Sequence, residues 1–224
     1  MVRVNLLRNN GDAREEEQEE EKLIKHYSNL HKILLVGEGD FSFSACLARA
    51  FGSAINIVAT SLDSQASSKM LYKSASATME ILEGLGCTIL HEVNARTMTR
   101  HPVLQGKPFD RIVFNFPHAG YKGPDHSDSQ IQRHRDLVRG FLRSARSMLT
   151  KNGEIHETHK TAYPFSKWEI EKLAEEDEEL RLVEKAKFSE SDYPGYVNKR
   201  GDGLWCDQKF PIGQCSTYKF ALRD

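Results

Sequence analysis

The stretch from Lys32 to Ser44, Lys-Ile-Leu-Leu-Val-Gly-Glu-Gly-Asp-Phe-Ser-Phe-Ser, constrains the fold of this chain more than any other. The apolar run Ile33 to Val36 stops at Gly37-Glu38-Gly39 and passes into Ala45-Cys46-Leu47-Ala48-Arg49-Ala50-Phe51. A buried strand, a tight glycine turn and a helix in that order open a Rossmann-type nucleotide-binding unit. A dinucleotide fingerprint needs a third glycine at position 42, and Ser42 stands there. That glycine lets the helix pack closely under a pyrophosphate, so its absence argues against a dinucleotide.

Downstream, strand-like and helix-like segments alternate. Strands are expected at 55–60, 88–93, 109–115, 154–160, 182–188 and 217–222, and helices at 44–51, about 64–82, about 129–149 and 166 to about 176. Lys151-Asn152-Gly153 reads as a helix C-terminal signal. Such alternation predicts an α/β fold, a parallel sheet with helices on both faces. The chain has 224 residues, enough for one such domain with decoration. The expected organisation is an acidic, partly disordered or helical extension over 1–30, then a single domain over 31–224 with a glycine-rich insertion at about 189–215.

The formal net charge is -1 with 28% charged residues, so a polyphosphate partner would be held by local patches. Four cysteines without C-x-x-C spacing suggest neither a zinc ribbon nor a disulfide framework, and point to cytosol or nucleus. The chain shows no signal-peptide core and no apolar run of membrane-spanning length. His156 and His159 lie three apart on a strand and face opposite sides, so they cannot share an ion, and no metal is expected.

In open α/β sheets, ligands bind beyond the carboxyl ends of the strands. The strand ends here are Gly37-Glu38-Gly39-Asp40, then Asp63, Asn94, and Asn115-Phe116-Pro117-His118. An acidic residue about 25 positions past the first glycine can accept hydrogen bonds from both ribose hydroxyls. Glu38 and Asp40 would repel phosphate but suit a cofactor with positive charge, and S-adenosyl-L-methionine carries a sulfonium and an ammonium. Asn115 offers a donor and an acceptor that match the imide edge of a uracil. His118 can stack on a base or accept a proton.

The helix after position 128 places Arg135, Arg139, Arg143 and Arg146 on one stripe, either a track for a nucleic-acid backbone or a solvated face. His134, beside the apolar stripe, reads as a packed residue. Tyr193, Tyr196, Lys199 and Arg200 interleave aromatic and basic groups in the insertion, suited to single-stranded RNA or to an ordered cover over the sheet edge.

Taken together, the block at 35–44, Ala59-Thr60-Ser61-Leu62-Asp63, Phe109 to His118, His134-Arg135-Asp136-Leu137-Val138, Lys160 to Trp168 and Tyr193-Pro194-Gly195-Tyr196 resemble the 25S ribosomal RNA (uridine-N3)-methyltransferase-like family. The resemblance runs from about Lys32 to Phe220. It implies a class I methyltransferase sheet of order 3-2-1-4-5-7-6 with the last strand antiparallel. It implies methylation of a uridine in ribosomal RNA or a pre-ribosomal particle by a monomer, in the nucleus, nucleolus or cytoplasm. The implied cofactor residues are Gly37, Glu38, Gly39, Asp40, Phe41, Asp63 and Asn94. The implied catalytic residues are Asn115, Pro117 and His118, and those for RNA are Arg135, Arg139, Arg143, Lys160, Tyr193, Tyr196, Lys199 and Arg200. The rival readings are a methyltransferase-like module that binds without turnover and a nucleotide-dependent oxidoreductase.

Overall fold

The apolar run at 33–36 pairs in parallel with 111–114 at the centre of a seven-stranded sheet. The structure is a computed structural model that describes residues 20–223, so most of the expected acidic extension lies outside the described residues. In chain order the elements are β1 (Leu23–Ile24), β2 (Tyr27–Ser28), β3 (Ile33–Val36), α1 (Ser42–Phe51), β4 (Ile57–Thr60), α2 (Gln65–Leu71) and α3 (Ala75–Gly84). They continue with β5 (Thr88–Leu90), β6 (Phe109–Asn115), α4 (Asp128–Arg146), β7 (Leu149–Lys160), α5 (Ile170–Glu175), β8 (Leu180–Lys187) and β9 (Cys215–Leu222). The sheet order is β5-β4-β3-β6-β7-β9-β8, with β9 antiparallel to both neighbours. This is the 3-2-1-4-5-7-6 order expected from the resemblance.

The central strands are continuous apolar runs because both faces are covered. Ile33 and Leu35 face a core with Phe43, Leu47, Phe51 and Met79 from α1 and α3. Leu34 and Val36 face a second core with Val138, Phe141 and Leu142 of α4 and Leu173 of α5. Among the described residues, no helix is long and apolar enough to cross a membrane.

Several boundaries differ from expectation, each for a tertiary reason. Residues 23–28, assigned to the extension, form a hairpin whose Tyr27 is buried, its hydroxyl 3.2 Å from His156 Nδ1. The helix expected over 64–82 breaks at Tyr72, which takes extended backbone and buries its ring beside Gly39. Gly153 is no helix stop: it lies inside β7, where a Cβ would come 2.8 Å from the Phe109 carbonyl oxygen. The helix expected from 166 divides at Glu169, whose φ is 53°. There the Arg135 guanidinium donates to the Trp168 carbonyl oxygen at 3.1 Å and the Glu169 carboxylate at 2.7 Å.

On β7, His156 faces Tyr27 and His159 faces Trp168, on opposite sides of the sheet as the strand period requires. Between them Glu157 is fully buried and neither carboxylate oxygen has a partner among the described residues. Burial alone pushes its acid up to about 8. The folded state therefore holds this proton to a higher pH than the unfolded chain. The stability it preserves is complete at acid pH and is lost as pH rises toward 8. Glu157→Gln should raise the thermal midpoint, with the advantage growing between pH 5 and pH 8 by up to about 1.4 kcal/mol per pH unit. Melting curves across that range check it, and a difference independent of pH would show that the carboxylate is ionised.

Candidate functional site

The glycine loop after β3 is shaped by what lies against it. Gly37 has φ +70°, and a Cβ there would come 2.5 Å from the Phe114 ring. A Cβ on Gly39 would come 3.1 Å from the Tyr72 ring. Phe41 caps α1 in the left-handed region at φ 61°, which turns its ring down into the core, edge-on to His91. The cofactor contact expected of Phe41 is therefore not made by its side chain.

The two loop carboxylates are engaged within the protein. Glu38 accepts from the Ser44 amide at 3.2 Å and hydroxyl at 2.9 Å, and burial pushes its acid up to about 7. Asp40 accepts from the Ser42 amide at 3.0 Å and the Ser74 hydroxyl at 2.9 Å, with Lys199 Nζ 3.6 Å away. The loop is thus less anionic than its sequence suggests.

A cavity of about 190 Å³ opens at the carboxyl ends of the central strands, lined by Gly37, Glu38, Gly39, Asp40, Asp63, Asn94, Asn115 and His118. The structure thus brings the strand-end residues together. Asp63 is half-buried, and its carboxylate has no hydrogen bond among the described residues; burial and then Asp202 raise its acid. Asn94 Oδ1 accepts from the Arg96 amide at 2.9 Å, leaving its amide nitrogen to the cavity. Both polar atoms of the Asn115 side chain are buried without a partner. Leaving such groups unpaired costs about 1–3 kcal/mol each, a cost that a bound ligand can remove. Phe116 follows with φ 51°, a strained conformation of the kind that gathers at ligand sites.

The insertion roofs this cavity. The Val197 amide donates to Ser42 Oγ at 3.0 Å, the Tyr72 hydroxyl to the Gly201 carbonyl at 3.4 Å, and the Tyr121 amide to Asp202 Oδ2 at 2.9 Å. Tyr193 and Tyr196, expected to stack on RNA, pack instead against Phe43 and Phe188. Tyr193 is buried in the core, and Tyr196 lines the cavity wall. The insertion is thus ordered over the cavity, tied down by Tyr193 and Tyr196, while Trp205 is exposed.

A second cavity of about 230 Å³ adjoins the first and shares Phe116, His118, Lys199, Arg200 and Phe210 with it. Pro117, Tyr121, Phe165 and Trp168 give it flat walls. Lys160 Nζ sits 4.4 Å above the Phe165 ring and 4.9 Å above that of Phe210. The Arg200 Nε is buried without a partner among the described residues. Lys199, by contrast, is tied to Asp207 at 2.6 Å.

His118 Nδ1 accepts from the Gly120 amide at 3.2 Å, and burial lowers its pKa. The ring is therefore neutral with its proton on Nε2, which faces Asp125 Oδ1 at 3.9 Å. Its lone pair is already used, which removes the proton-accepting role expected of it and leaves stacking and donation.

His134 is buried and stacked on Trp168 at 4.1 Å, and burial lowers its pKa to about 3. Ligand-type atoms of His118, Asp125 and His134 lie within 4.8 Å of one another. But His134 Nδ1 accepts from the Ala119 amide at 3.1 Å and Nε2 lies 3.0 Å from Gln130 Nε2. With both ring nitrogens engaged, this is a packed cluster and not an ion cage.

The arginine stripe is mostly consumed by packing. Arg135 pairs with Glu169, Arg139 with Asp136 and Glu176, and Arg146 with Asp177. Arg143 alone of the four has no ion pair among the described residues. Three of the four arginines are thus ion-paired within the protein. Sequence reasoning missed Tyr72, Phe165, Trp168, Asp202 and Phe210, which reach the cavities from loops that carry no periodic signal.

A family model described as BMT5-like, rRNA (uridine-N3-)-methyltransferase BTM5-like, matches residues 34–200. An uncharacterized protein of Arabidopsis thaliana is 55% identical over 203 residues, covering 89% of this chain and 97% of that protein. Heavy metal-associated isoprenylated plant protein 41 of the same plant is 50% identical over 92% of this chain, which spans only 40% of that protein. The 25S rRNA (uridine(2634)-N(3))-methyltransferase of Saccharomyces cerevisiae is 23% identical over 75% of this chain and 65% of its own length. Among solved structures, NSun6 from Pyrococcus horikoshii superposes with TM-score 0.53 at 16% identity, covering 85% of this chain and 47% of that one. TrmN from Thermus thermophilus does so with TM-score 0.52 at 16% identity, covering 86% and 44%. With the observed sheet order, these likenesses make the fold that of the class I S-adenosylmethionine-dependent methyltransferases.

The close approach at Gly37 yields a direct test. Gly37→Ala should lower thermal stability by about 1–3 kcal/mol, through the forced φ and the clash with Phe114. Phe114→Leu in the same chain should recover part of that loss. Strictly additive effects in a double-mutant cycle would show that the ring does not set the loop.

Proposed function

Because the chain belongs to the BMT5-like family of rRNA (uridine-N3-)-methyltransferases, we propose that it methylates N3 of a uridine in large-subunit ribosomal RNA, with S-adenosyl-L-methionine as cofactor. The observation that carries this reading is Asn115. It stands at the end of β6 in the wall of the first cavity, just before Phe116, which both cavities share, with a buried donor and a buried acceptor and no partner for either among the described residues. A uracil imide edge presents a donor beside an acceptor and can satisfy both at once.

The first cavity fits the cofactor on grounds of its own. Gly37 and Gly39 line it as bare backbone, held against the Phe114 and Tyr72 rings where a side chain would not fit. The Asp63 carboxylate is unbonded at the position where ribose hydroxyls are held in such sheets. Asn94 lies at the next strand end, beside the adenine. When bound, S-adenosyl-L-methionine supplies a methyl group already activated by its sulfonium. What is left to the protein is alignment, since holding two reactants in line removes much of the barrier.

Asn115 orients the base, Pro117 and Phe116 form the floor of its pocket, and His118 donates from Nε2 at the wall. Uridine N3 is used in base pairing, so the target nucleotide is single-stranded or extruded. The flat-walled second cavity offers the place for it. The protein acts as a monomer on ribosomal RNA or its precursor particle, which implies work in the nucleus or nucleolus.

Two variants separate the roles. Asp63→Ala should abolish binding of S-adenosylhomocysteine in a calorimetric titration. Asn115→Ala should retain that binding and lose at least about 100-fold in N3-methyluridine formed on unmodified large-subunit rRNA. Equal loss of cofactor binding in both would show the roles misassigned. Tight cofactor binding by the unaltered protein with no methylated nucleoside would mark a module that binds without turnover.

A further inference from the structure

Taking the uridine reading as its footing, we propose that the second cavity holds the target base as its N3-deprotonated anion, with Lys160 and Arg200 as the catalytic cations that balance its charge, and no protein base. The chemistry sets the need. A neutral uracil has a hydrogen on N3, and the nitrogen lone pair is drawn into the two flanking carbonyls. Only the anion is a good nucleophile, and its charge then spreads over both carbonyl oxygens.

No group on the wall of this cavity is placed to act as a strong base. His118 Nδ1 is bonded to the Gly120 amide, and His134 uses its one lone pair, on Nδ1, to accept from the Ala119 amide. His159 donates from Nε2 to the Phe165 carbonyl and packs at a tilt on Trp168, and burial lowers its pKa to about 3, so its Nδ1 is a weak base. The Asp125 Oδ1 is buried toward His118, and a carboxylate is a weak base for an imide.

Cations, in contrast, are present and uncompensated. Neither Lys160 nor Arg200 has a carboxylate within ion-pair distance among the described residues. Lys160 is held over two aromatic faces, and its charge is poorly solvated enough that burial lowers its pKa. The Arg200 Nε is buried and unpaired. Lys199, on the same wall, is neutralised by Asp207 and Asp40. The other ionisable groups near these cations are Asp125, Cys215, Tyr121, Asp202 and His118. A fixed cation within a few ångströms lowers an acid's pKa by about 1–3 units, and does so without reorganisation as charge develops.

In the step so defined, the N3 proton passes to water. The N3 electron pair forms the new bond to the methyl carbon, and the electrons of the breaking C–S bond remain on sulfur. The base ends neutral and both cations are unchanged. The same arrangement selects the substrate class. It accepts a base with an ionisable ring N–H between carbonyls, and it opposes cytosine, whose amino group would meet the donors of Lys160 and Arg200.

The test is a pH–rate profile on full-length protein, from about pH 6 to about pH 10, with an unmodified large-subunit rRNA transcript and labelled S-adenosylmethionine. Lys160→Met and Arg200→Met should each move the rising limb upward by about one pH unit or more. Near neutrality they should lose about tenfold or more in N3-methyluridine, with recovery at high pH. Lys160→Arg should keep the profile, and S-adenosylhomocysteine binding reports that each variant is folded.

A second readout needs no turnover. In a transcript carrying 5-fluorouridine, the imide followed by fluorine NMR should ionise at lower pH when bound to the protein, and Arg200→Met should reverse this. Rates reduced equally at every pH, or an Asp125→Asn variant inactive throughout while the cation variants keep the unaltered profile, would overturn the proposal and identify a carboxylate base. An unaltered protein that forms no N3-methyluridine would overturn the uridine reading and this inference with it. An active one with unshifted variant profiles would overturn this inference alone.

Discussion

The parallel pairing of β3 with β6, in the register Val36 to Phe114, is the constraint on which the site depends. From β3 the chain builds outward through β4 and β5, then returns to lay β6 on the other side. The strand order reverses at that seam, and a crevice opens where the two loops diverge. Gly37 and Asn115 follow the last paired residues and so emerge next to each other. The Phe114 ring fills the space where a Cβ on Gly37 would be, so the glycine is required by the pairing itself as well as by any ligand. One register slip would turn Phe114 out of its core and separate the glycine loop from the amide.

Closing that crevice falls to the insertion, and it uses the loop carboxylates to do so. Asp40 holds Ser74 at the start of α3 and faces Lys199 of the roof, while Ser42 and Tyr72 bond to Val197 and Gly201. Tyr193 and Tyr196 anchor the near end of the roof in the core beside Phe43. Residues of the first βα unit and of the last connection, some 155 positions apart, are thereby joined over one cavity. The site is thus a product of both ends of the fold.

The elements were legible where a period governs them. Strands buried on both faces read as apolar runs, and the polar residue that ends each run falls at the sheet's carboxyl edge, so Asp63, Asn94 and Asn115 could be placed before any geometry. What failed was set by contacts with no period. Phe41 is dictated by a left-handed backbone at the head of α1, and Tyr193 and Tyr196 by the aromatic cluster they join. Arg135 and Arg139 are dictated by α5, a short helix set off by the turn at Glu169. A stripe of arginines has the same spacing whether carboxylates or phosphates face it. Only the partner element decides, and that element lies more than 30 residues away.

Pairing also explains why the charged and polar groups of this site can be sorted. Most polar side chains around the cavities already have their bonds: Glu38 with Ser44, Asp40 with Ser42 and Ser74, Lys199 with Asp207, and Asp202 with Tyr121. These fix the shape. A buried group left unpaired costs stability, so a fold keeps one only where something offsets the loss. Asp63, Asn115, Asp125, Arg200 and Lys160 are the groups left over. Asp63 and Asn115 line the first cavity, Arg200 lines both, and Asp125 and Lys160 line the second. From the first cavity to the second, an anionic acceptor and a neutral donor–acceptor pair give way to two cations with one carboxylate near them. That sequence of chemistries complements a ribose at one end and, at the other, a planar base that acquires negative charge.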